Sequence, residues 1–255
     1  MIGNRYEYDM MAKCERQLWW YRCLHELTLN HIKANTSNNN PRILDAGCGT
    51  GGLLLYLQQQ GFSNLTGFDL SADAVEYATA ATGIDIKQHD IRKLNELYAP
   101  ESFDIIVSHD IVCLLQEGDD ALAVKQLLSV LKPGGKLIMN FPAFKAFNGS
   151  HDIAVGIQRR YTKKSLRGLM KDAAVIRQTI YWPFFLSPPI FMIRNLQRIF
   201  TAFKKHEAVL SDVKMPGKAV NSVLHTVTTL ENRILSVKPW GSSLFVVLGR
   251  KIAPL

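Results

Sequence analysis

Short apolar runs alternate with amphipathic segments through the middle of the chain, and residues 6–33 ahead of them also repeat apolar positions at helical spacing. This alternation is typical of βαβ units around a parallel sheet. The predicted strands are Arg42–Ala46, Asn64–Asp69, Ile84–His89, Phe103–Ser108, Lys136–Phe141, Ala174–Tyr181 and Ser243–Leu248. The predicted helices between them are Leu53–Gln60, Ala72–Ala81, Ala121–Leu131 and a segment that begins at Thr162 or Ser165 and ends at Met170.

The last two predicted strands are separated by roughly 60 residues, too many for a simple hairpin loop. This stretch contains two helix-like segments, Phe184–Phe203 and Val220–Leu235. We therefore predict an α/β protein in three parts. They are an N-terminal helical cap over residues 1–40, a sheet domain over residues 41–182 plus 243–255, and a helical insertion over residues 183–242.

Positive charge is concentrated in the C-terminal part of the chain. The net charge is +8, but residues 151–255 hold 17 Lys and Arg against 5 Asp and Glu, a net of +12, which leaves −4 for residues 1–150. This asymmetry predicts an anionic partner, such as a phosphate, a carboxylate, a nucleic acid or an anionic membrane face. A dispersed, solvated surface is the alternative.

Cysteine usage and hydropathy indicate the compartment. The four cysteines form no CxxC pair and no Cys/His cluster at zinc-ligand spacing, so we expect neither a disulfide framework nor a bound metal. The N-terminus lacks the apolar region of a secretory signal, and no apolar stretch reaches the ~18 residues of a membrane span. We therefore expect a cytoplasmic protein.

A glycine-rich loop follows the first predicted strand. Gly47, Gly49, Gly51 and Gly52 lead from this strand into the next helix, and glycine allows both the sharp turn and the close approach of a ligand to the backbone. The spacing satisfies GxGxxG, so a dinucleotide is one possible cofactor. Asp45 favours a different one, because its carboxylate would attract the ammonium group of an amino acid and repel a pyrophosphate.

Two more acids follow the next two predicted strands. Asp69 comes close to the spacing of about 20 residues expected of the acid that binds ribose hydroxyls, and Leu70 and Ser71 would border that ribose. Asp90 could accept a hydrogen bond from an adenine amino group while Ile91 packs on the ring. Each acid could instead be a helix N-cap or a solvated strand end.

Four motifs in this order resemble those of class I S-adenosylmethionine-dependent methyltransferases: Leu44–Gly51, Gly67–Ser71, Phe103–Val107 and Leu131–Gly135. They cover residues 41 to about 141. The resemblance implies a Rossmann-like, mostly parallel sheet of seven strands whose last strand is reversed. It also implies S-adenosylmethionine at the carboxyl ends of the strands, held by a loop in which Cys48 accompanies Gly47, Gly49 and Gly51.

A narrower resemblance is to a bacterial branch of small-molecule methyltransferases, a branch that does not define the acceptor. Its segments lie outside the four motifs, in the cap, after the fifth strand and near the C-terminus. They are Trp19-Trp20-Tyr21-Arg22, Pro142-Ala143-Phe144 followed by His151-Asp152, Arg159-Arg160-Tyr161-Thr162, and Pro239-Trp240-Gly241-Ser242-Ser243-Leu244.

Methyl transfer from a sulfonium is an in-line displacement, so a base is needed only when the acceptor is a hydroxyl or a protonated amine. The candidate acid, base and orienting groups are His109 and Asp110 after the fourth strand, and His151, Asp152 and Tyr161 after the fifth. We favour His109 as a neighbour of the cofactor rather than as a base. The alternative for His151 and Asp152 is that they order their loop together with the two arginines that precede Tyr161.

Aromatic residues in the cap are a further candidate for the cofactor site. Trp19, Trp20 and Tyr21 could close over the cofactor as a lid, with Trp20 in contact with it. On a helix such residues are more often part of the core, and this alternative stays open.

The insertion combines apolar residues with cations such as Arg194 and Arg198. We predict that Trp182 to Lys205 forms a mobile wall of the acceptor pocket and selects an acidic or lipid-linked small molecule. The alternatives are an interfacial segment that contacts a membrane, and an inter-helix or homodimer contact.

Three functions are compatible with these residues. The first is methylation of oxygen, nitrogen or carbon in a small molecule. The second is RNA methylation, which the basic charge suggests, although the sequence carries no recognised RNA-binding motif and a nucleic acid partner is not expected. The third is a non-catalytic partner protein that retains cofactor binding.

Overall fold

The seven predicted strands form a single sheet in the computed structural model, which describes residues 5–171, 173–203 and 215–251. The strands are β1 (Ile43–Ala46), β2 (Leu65–Asp69), β3 (Lys87–Gln88), β4 (Phe103–His109), β5 (Leu131–Pro142), β6 (Ala174–Trp182) and β7 (Ser243–Arg250).

The order across the sheet is β3-β2-β1-β4-β5-β7-β6. Strands β1 to β5 pair in parallel, whereas β7 lies between β5 and β6 and is antiparallel to both. This arrangement confirms the predicted Rossmann-like sheet with a reversed last strand. The strand order changes direction between β1 and β4, and ligands of open α/β sheets bind at the carboxyl ends of the strands on either side of such a point.

Helices cover both faces of the sheet. They are α1 (Arg5–Cys14), α2 (Trp19–Asn35), α3 (Gly52–Gln59), α4 (Ala72–Thr82), α5 (Asp119–Val130), α6 (Ser150–Val155), α7 (Lys163–Met170), α8 (Ser187–Phe203) and α9 (Lys218–Ile234). Apolar residues of α2, α3 and α4 share one core with the sheet, and those of α5 and α7 share the other.

Alternate residues of the central strands supply the two cores. Ile43 and Ile105 point to the core under α2 and α3, while Leu44 and Ile106 point to the core under α5. All four are fully buried. This double burial is the reason that the central strands are continuous apolar runs rather than alternating ones.

The N-terminal cap consists of two helices instead of the continuous one that its spacing suggests. The chain breaks between α1 and α2, and the Glu15 carboxylate leaves the helical path to accept hydrogen bonds from Thr50 and from the backbone N–H of Gly52. Apolar periodicity does not indicate this contact, because it joins Glu15 to a glycine loop that is remote in the sequence.

Predicted β3 is also shorter than its apolar pattern indicates, and two of the short helices that were not predicted follow β3 and β5. After β3, the Asp90 side chain accepts a hydrogen bond from the Arg92 N–H and begins a 3-10 helix over Ile91–Glu96. The second is α6, which the loop after β5 forms from Ser150. The 3-10 helix begins with a local side-chain hydrogen bond, which apolar periodicity does not register.

The insertion packs against the cap through α9. The Asn221 side chain accepts from the Trp19 N–H at 2.9 Å and donates to the Gln17 carbonyl at 2.8 Å. Glu26 of α2 accepts hydrogen bonds from His225 and Thr229 of α9. Residues 204–214 of the insertion and residues 252–255 lie outside the described part of the chain. None of the helices that are described is both long and apolar enough to cross a bilayer.

We predict that Asn221→Ala lowers the free energy of unfolding by about 1–3 kcal/mol, because it leaves a backbone donor and a backbone acceptor without partners between α2 and α9. Chemical denaturation followed by circular dichroism measures the change. Ser222→Ala, at an exposed position of the same helix, is the control and should unfold like the parent protein. Equal stability of both variants would contradict the proposed anchoring.

Candidate functional site

A cavity of about 710 Å³ lies at the carboxyl ends of β1 and β4. This is the position that the strand order predicts for a ligand site. The cap closes it on one side, the loops after β1, β2, β4 and β5 form its floor, and α8 forms part of its far wall. Its lining includes Tyr8, Glu15, Trp20, Tyr21, His25, Asp45, Gly47, Cys48, Gly49, Asp69, Leu70, Ser71, Asp90, Ile91, His109, Asp110, His151, Arg160, Ile190 and Arg194.

The glycine loop borders the cavity as predicted, with one exception. Gly47, Cys48 and Gly49 line it, whereas Gly51 does not. Gly47 has a φ of 79°, and a Cβ there would lie only 2.4 Å from a side-chain carbon of Ile111. Gly51 is the left-handed N-cap of α3 and lies against Ala78. Its role is therefore to turn the chain into the helix rather than to contact a ligand.

Two predicted acids, Asp45 and Asp69, lie at the loop. Asp69 accepts hydrogen bonds from the backbone N–H groups of Gly49, at 2.9 Å, and Ser71, at 3.0 Å. Asp45 is 4% exposed, and no described residue donates a hydrogen bond to its carboxyl group. Burial, together with the charges of Glu15 and Asp69, raises the Asp45 pKa well above its usual value. The loop therefore holds a buried acid that lacks a partner.

Glu15 is a site residue that the sequence reasoning missed. Its carboxylate lies at the start of α3, where the positive end of the helix dipole favours a negative charge. Burial nevertheless dominates and raises the Glu15 pKa to about 7. Glu15 directly follows the last residue of α1. In the sequence, an acid at the end of a helix indicates an ordinary solvated side chain. Only the fold brings Glu15 to the glycine loop.

The residues predicted to hold a nucleoside also border the cavity. Leu70, Ser71, Asp90 and Ile91 follow β2 and β3. The Asp90 carboxylate is the N-cap of the 3-10 helix that follows it, which was the structural alternative to contact with adenine. It also pairs with the Arg92 guanidinium. That guanidinium lowers the Asp90 pKa. Asp90 is therefore a fixed, ionised acceptor at the edge of the cavity.

Of the four histidines that line the cavity, His25, His89, His109 and His151, two are strongly affected by burial. His109 lies at the end of β4, where its Nε2 atom is 3.1 Å from the Thr28 hydroxyl of α2. Burial lowers its pKa to about 3. His25 of α2 has a pKa lowered to about 4, also by burial, and it has no hydrogen-bond partner among the described residues. Both rings are neutral near pH 7, and His25 is a second residue that the sequence reasoning missed.

Trp20 borders the cavity and belongs to the core as well. Its ring stacks on that of Trp182, with centroids 5.4 Å apart and an interplanar angle of 22°. Trp182 is fully buried. The two interpretations of the aromatic segment are thus compatible, because one ring joins the cavity wall to the core behind it.

The loop after β5 separates the predicted catalytic residues. His151 borders the cavity. Asp152 forms a buried ion pair with Arg160, whose Nε and Nη2 atoms donate at 2.5 and 2.7 Å. Arg160 also donates to the Ala143 carbonyl. This geometry matches the loop-ordering alternative for Asp152, because every polar contact of its carboxylate is made with the arginine.

Tyr161 does not reach the cavity, which corrects our prediction of an acid or base role there. Its ring packs on Phe141 with centroids 4.7 Å apart, and its hydroxyl donates to Asp120 at 3.4 Å. The side chain is almost fully buried. Tyr161 therefore belongs to the core beneath the site.

Asp110 sits in a buried polar network at the end of β4. Trp182 Nε1 donates to Asn140 Oδ1 at 2.9 Å, which orients the amide so that Asn140 Nδ2 donates to Asp110 Oδ2, also at 2.9 Å. Asp110 has a φ of 54°, unusual for a residue with a side chain. Its Oδ1 atom has no hydrogen-bond partner among the described residues. The network therefore fixes one oxygen and leaves the other for a ligand.

Asn140 could have been noticed in the sequence. It is a lone polar residue between Met139 and Phe141 in an apolar strand, and a buried amide requires hydrogen-bond partners.

Comparison with known proteins shows a methyltransferase domain. Residues 43–135 match the model of a methyltransferase domain. A phosphoethanolamine N-methyltransferase of Arabidopsis thaliana is 29% identical over 47% of this chain and 24% of its own length. A ubiquinone biosynthesis O-methyltransferase of Xylella fastidiosa is 30% identical over 52% of this chain and 62% of its own.

The fold agrees with this match. A crystal structure of an S-adenosylmethionine-dependent methyltransferase from Archaeoglobus fulgidus covers 89% of this chain and 93% of its own, with a TM-score of 0.57 and 14% identity. Residues 43–135 are therefore a methyltransferase domain, and the whole chain has the fold of the S-adenosylmethionine-dependent methyltransferase family. Its match to the two curated relatives spans only a quarter and under two thirds of their lengths, and these two act on different acceptors.

The cofactor of this family is S-adenosylmethionine, and the cavity of this methyltransferase fits it. The Asp45 carboxyl group receives no hydrogen bond from a described residue, and an ammonium group would supply one. Each Asp69 oxygen accepts one backbone hydrogen bond and keeps a lone pair for a ribose hydroxyl. Leu70 and Ile91 add apolar surface for a ring. Among the described residues, no His, Cys, Asp or Glu side chains are grouped so that they could hold a metal ion.

We predict that Asp45→Asn weakens S-adenosylmethionine binding about 10- to 100-fold, since a hydrogen bond to a charged group contributes about 1.5–3 kcal/mol. Isothermal calorimetry measures the affinity. Asp85→Asn removes an acid whose side chain is 81% exposed, and this control should bind as the parent protein does. If both variants bind equally well, Asp45 does not contact the ammonium group.

A second prediction concerns Glu15 and pH in the protein without cofactor. Its carboxyl loses its proton near pH 4.5 in the unfolded chain and near pH 7 in the folded protein. The folded state therefore holds the extra proton in this window, and the free energy of unfolding falls as the pH rises through it. We expect Glu15→Gln to reduce that fall when thermal melting is followed across the window.

Glu96→Gln is the matched control, because Glu96 is exposed. It should keep the slope of the parent protein. A Glu15→Gln variant with the parent's slope would show that Glu15 titrates normally in the folded state.

Proposed function

We propose that this protein transfers a methyl group from S-adenosylmethionine to an oxygen or nitrogen atom of a small molecule, and that Asp110 accepts the proton that the acceptor loses. The observation that carries the proposal is the half-satisfied Asp110 carboxyl group at the cavity. One oxygen is fixed by Asn140, and the other has no partner among the described residues.

The pKa values favour Asp110 over the two histidines as the base. Burial raises the Asp110 pKa to about 6, close to the value at which a base is both unprotonated and basic near neutral pH. Burial lowers the pKa of His109 and His25 to about 3 and about 4. Such weakly basic rings suit orientation of an acceptor better than removal of its proton.

Bound S-adenosylmethionine supplies the methyl group on a sulfonium. The contribution of the protein is to hold both reactants in line and to exclude water. The cap provides the exclusion, since Tyr21 and His25 of α2 line the cavity. The pair of Asp152 and Arg160 stiffens the loop that carries His151, which we propose contacts the acceptor.

The names of the two relatives support an acceptor with an ionisable proton, because one is an N-methyltransferase and the other an O-methyltransferase. A negative group on the acceptor would meet Arg194 at the cavity wall, as we predicted for the insertion. Lys204 and Lys205 lie outside the described residues. Membership of the bacterial branch and a cytoplasmic location remain predictions.

The proposal is tested by methyl transfer from labelled cofactor to a panel of phenols, amines, lipids and RNA. We expect turnover with a phenol or an amine, and Asp110→Asn should lower kcat by about 100-fold or more while cofactor affinity stays nearly unchanged. Glu117→Gln, with its side chain 91% exposed, should keep full activity.

Each other outcome contradicts a stated part of the proposal. Full activity of Asp110→Asn would exclude Asp110 as the base. Transfer to RNA alone would favour the RNA methyltransferase alternative. Cofactor binding with no transfer to any acceptor would favour the non-catalytic alternative.

A further inference from the structure

The outward side of α8 is apolar. Met192, Ile193 and Leu196 are 59%, 52% and 48% exposed, and Pro189 on the same side is exposed as well. These positions follow the three- and four-residue spacing of a single helical stripe. A helix on the surface of a globular protein normally turns charged or polar residues to solvent. The exposed side of α8 does the opposite.

The inward side of the same helix contacts the site. Ile190 and Arg194 line the cavity. The Arg194 side chain lies against Gly149, where an added Cβ would approach its Cδ to 2.6 Å, and it donates to Gln197 at 3.2 Å. The inward side therefore sets the position of α8. Packing within the protein does not explain why the outward side is apolar.

A second exposed apolar cluster adjoins the start of α8. Phe184 contacts the rings of both Phe185 and Trp240, with centroids 5.2 and 5.1 Å away. The backbone N–H groups of Phe184 and Phe185 donate to Glu231 of α9. Phe185 and Trp240 are 55% and 47% exposed, and Ile234, close to Glu231 on α9, is 67% exposed.

The insertion collects most of the exposed apolar residues of the described chain. Of the 17 large hydrophobic residues that are exposed there, 12 lie between residues 185 and 240. Single exposed apolar residues are normal on a protein surface. Their concentration in one region marks an interaction surface.

Charge indicates what this surface contacts. Residues 183–242 contain 8 Lys and Arg against 3 Asp and Glu, a net of +5, and Arg198, Lys218 and Arg233 are exposed. A second copy of the chain would bring two such positive surfaces together. An anionic bilayer offers both a continuous apolar phase and a negative surface potential.

We propose that the insertion docks this protein on the surface of an anionic membrane, with the stripe of α8 and the Phe185–Trp240 cluster buried in the interface. A helix is only about 10–12 Å across with its side chains. Docking therefore brings the cavity wall formed by Ile190 and Arg194 within one helix diameter of the lipid. The proposal does not depend on the identity of the base or of the acceptor.

The experiment is co-sedimentation of the full chain with vesicles of phosphatidylcholine alone or mixed with phosphatidylglycerol. We expect binding to the mixed vesicles, and weaker binding at high salt because the cations are exposed. The double variant Met192→Gln/Ile193→Gln should lower the partition coefficient about tenfold or more, since two large apolar side chains no longer enter the interface. Leu122→Gln removes an exposed leucine on α5, 41% exposed, and should bind as the parent does.

Cofactor affinity measured by calorimetry shows whether each variant is folded, because Met192 and Ile193 do not line the cavity. It also separates the two proposals, since a failure of methyl transfer leaves the vesicle result intact. Equal partition of the double variant and the parent would overturn the docking surface. The docking proposal would also be overturned if the parent protein does not bind vesicles but forms a dimer, and the double variant is a monomer. That outcome would favour a contact between two copies of the chain.

Discussion

The carboxyl groups of Glu15, Asp45 and Asp69 surround one glycine loop, where N–H and O–H groups donate to Glu15 and Asp69 but not to Asp45. Within the described residues, none of the three forms an ion pair with a cation. Burial raises the pKa of all three. Removal of carboxylates from water costs free energy unless hydrogen bonds or a positive charge offset it. The site therefore carries an electrostatic penalty that a ligand with an ammonium group relieves, and this requirement selects S-adenosylmethionine over a pyrophosphate cofactor.

The same requirement explains the cap and the insertion. A carboxylate exposed to water would show neither a raised pKa nor a strong preference for a cationic ligand. Helices α1 and α2 provide the cover, and α9 of the insertion fixes α2 through Asn221 and through the contacts of Glu26. Two segments distant in the sequence thus determine the polarity of a loop that neither of them contains.

The predictable part of this protein is the part that local sequence determines. Asp45, Asp69 and the glycines follow strands at fixed spacing, so the strand ends and the glycine loop could be inferred. The seven-stranded sheet with a reversed last strand was implied by the resemblance to methyltransferases. Glu15 and His25 could not be inferred, because each acquires its role from a contact between elements that are remote in the chain. Tyr161 shows the converse. A polar residue placed correctly in its loop turned out to pack inward on Phe141.

The acceptor side lacks such a local code for a physical reason. In our proposal the cofactor is held largely by backbone groups and strand-end acids, which any sequence with the same turn reproduces. The part of the cavity that we assign to the acceptor is lined by side chains from α2, β4, the loop after β5 and α8. Their mutual positions depend on packing, and α8 packs with only one of its two sides. Residues on the outer side can change without disturbing the inner side that carries Arg194. The outer side can therefore be adapted to what the protein contacts, and the inner side to the chemistry of the acceptor.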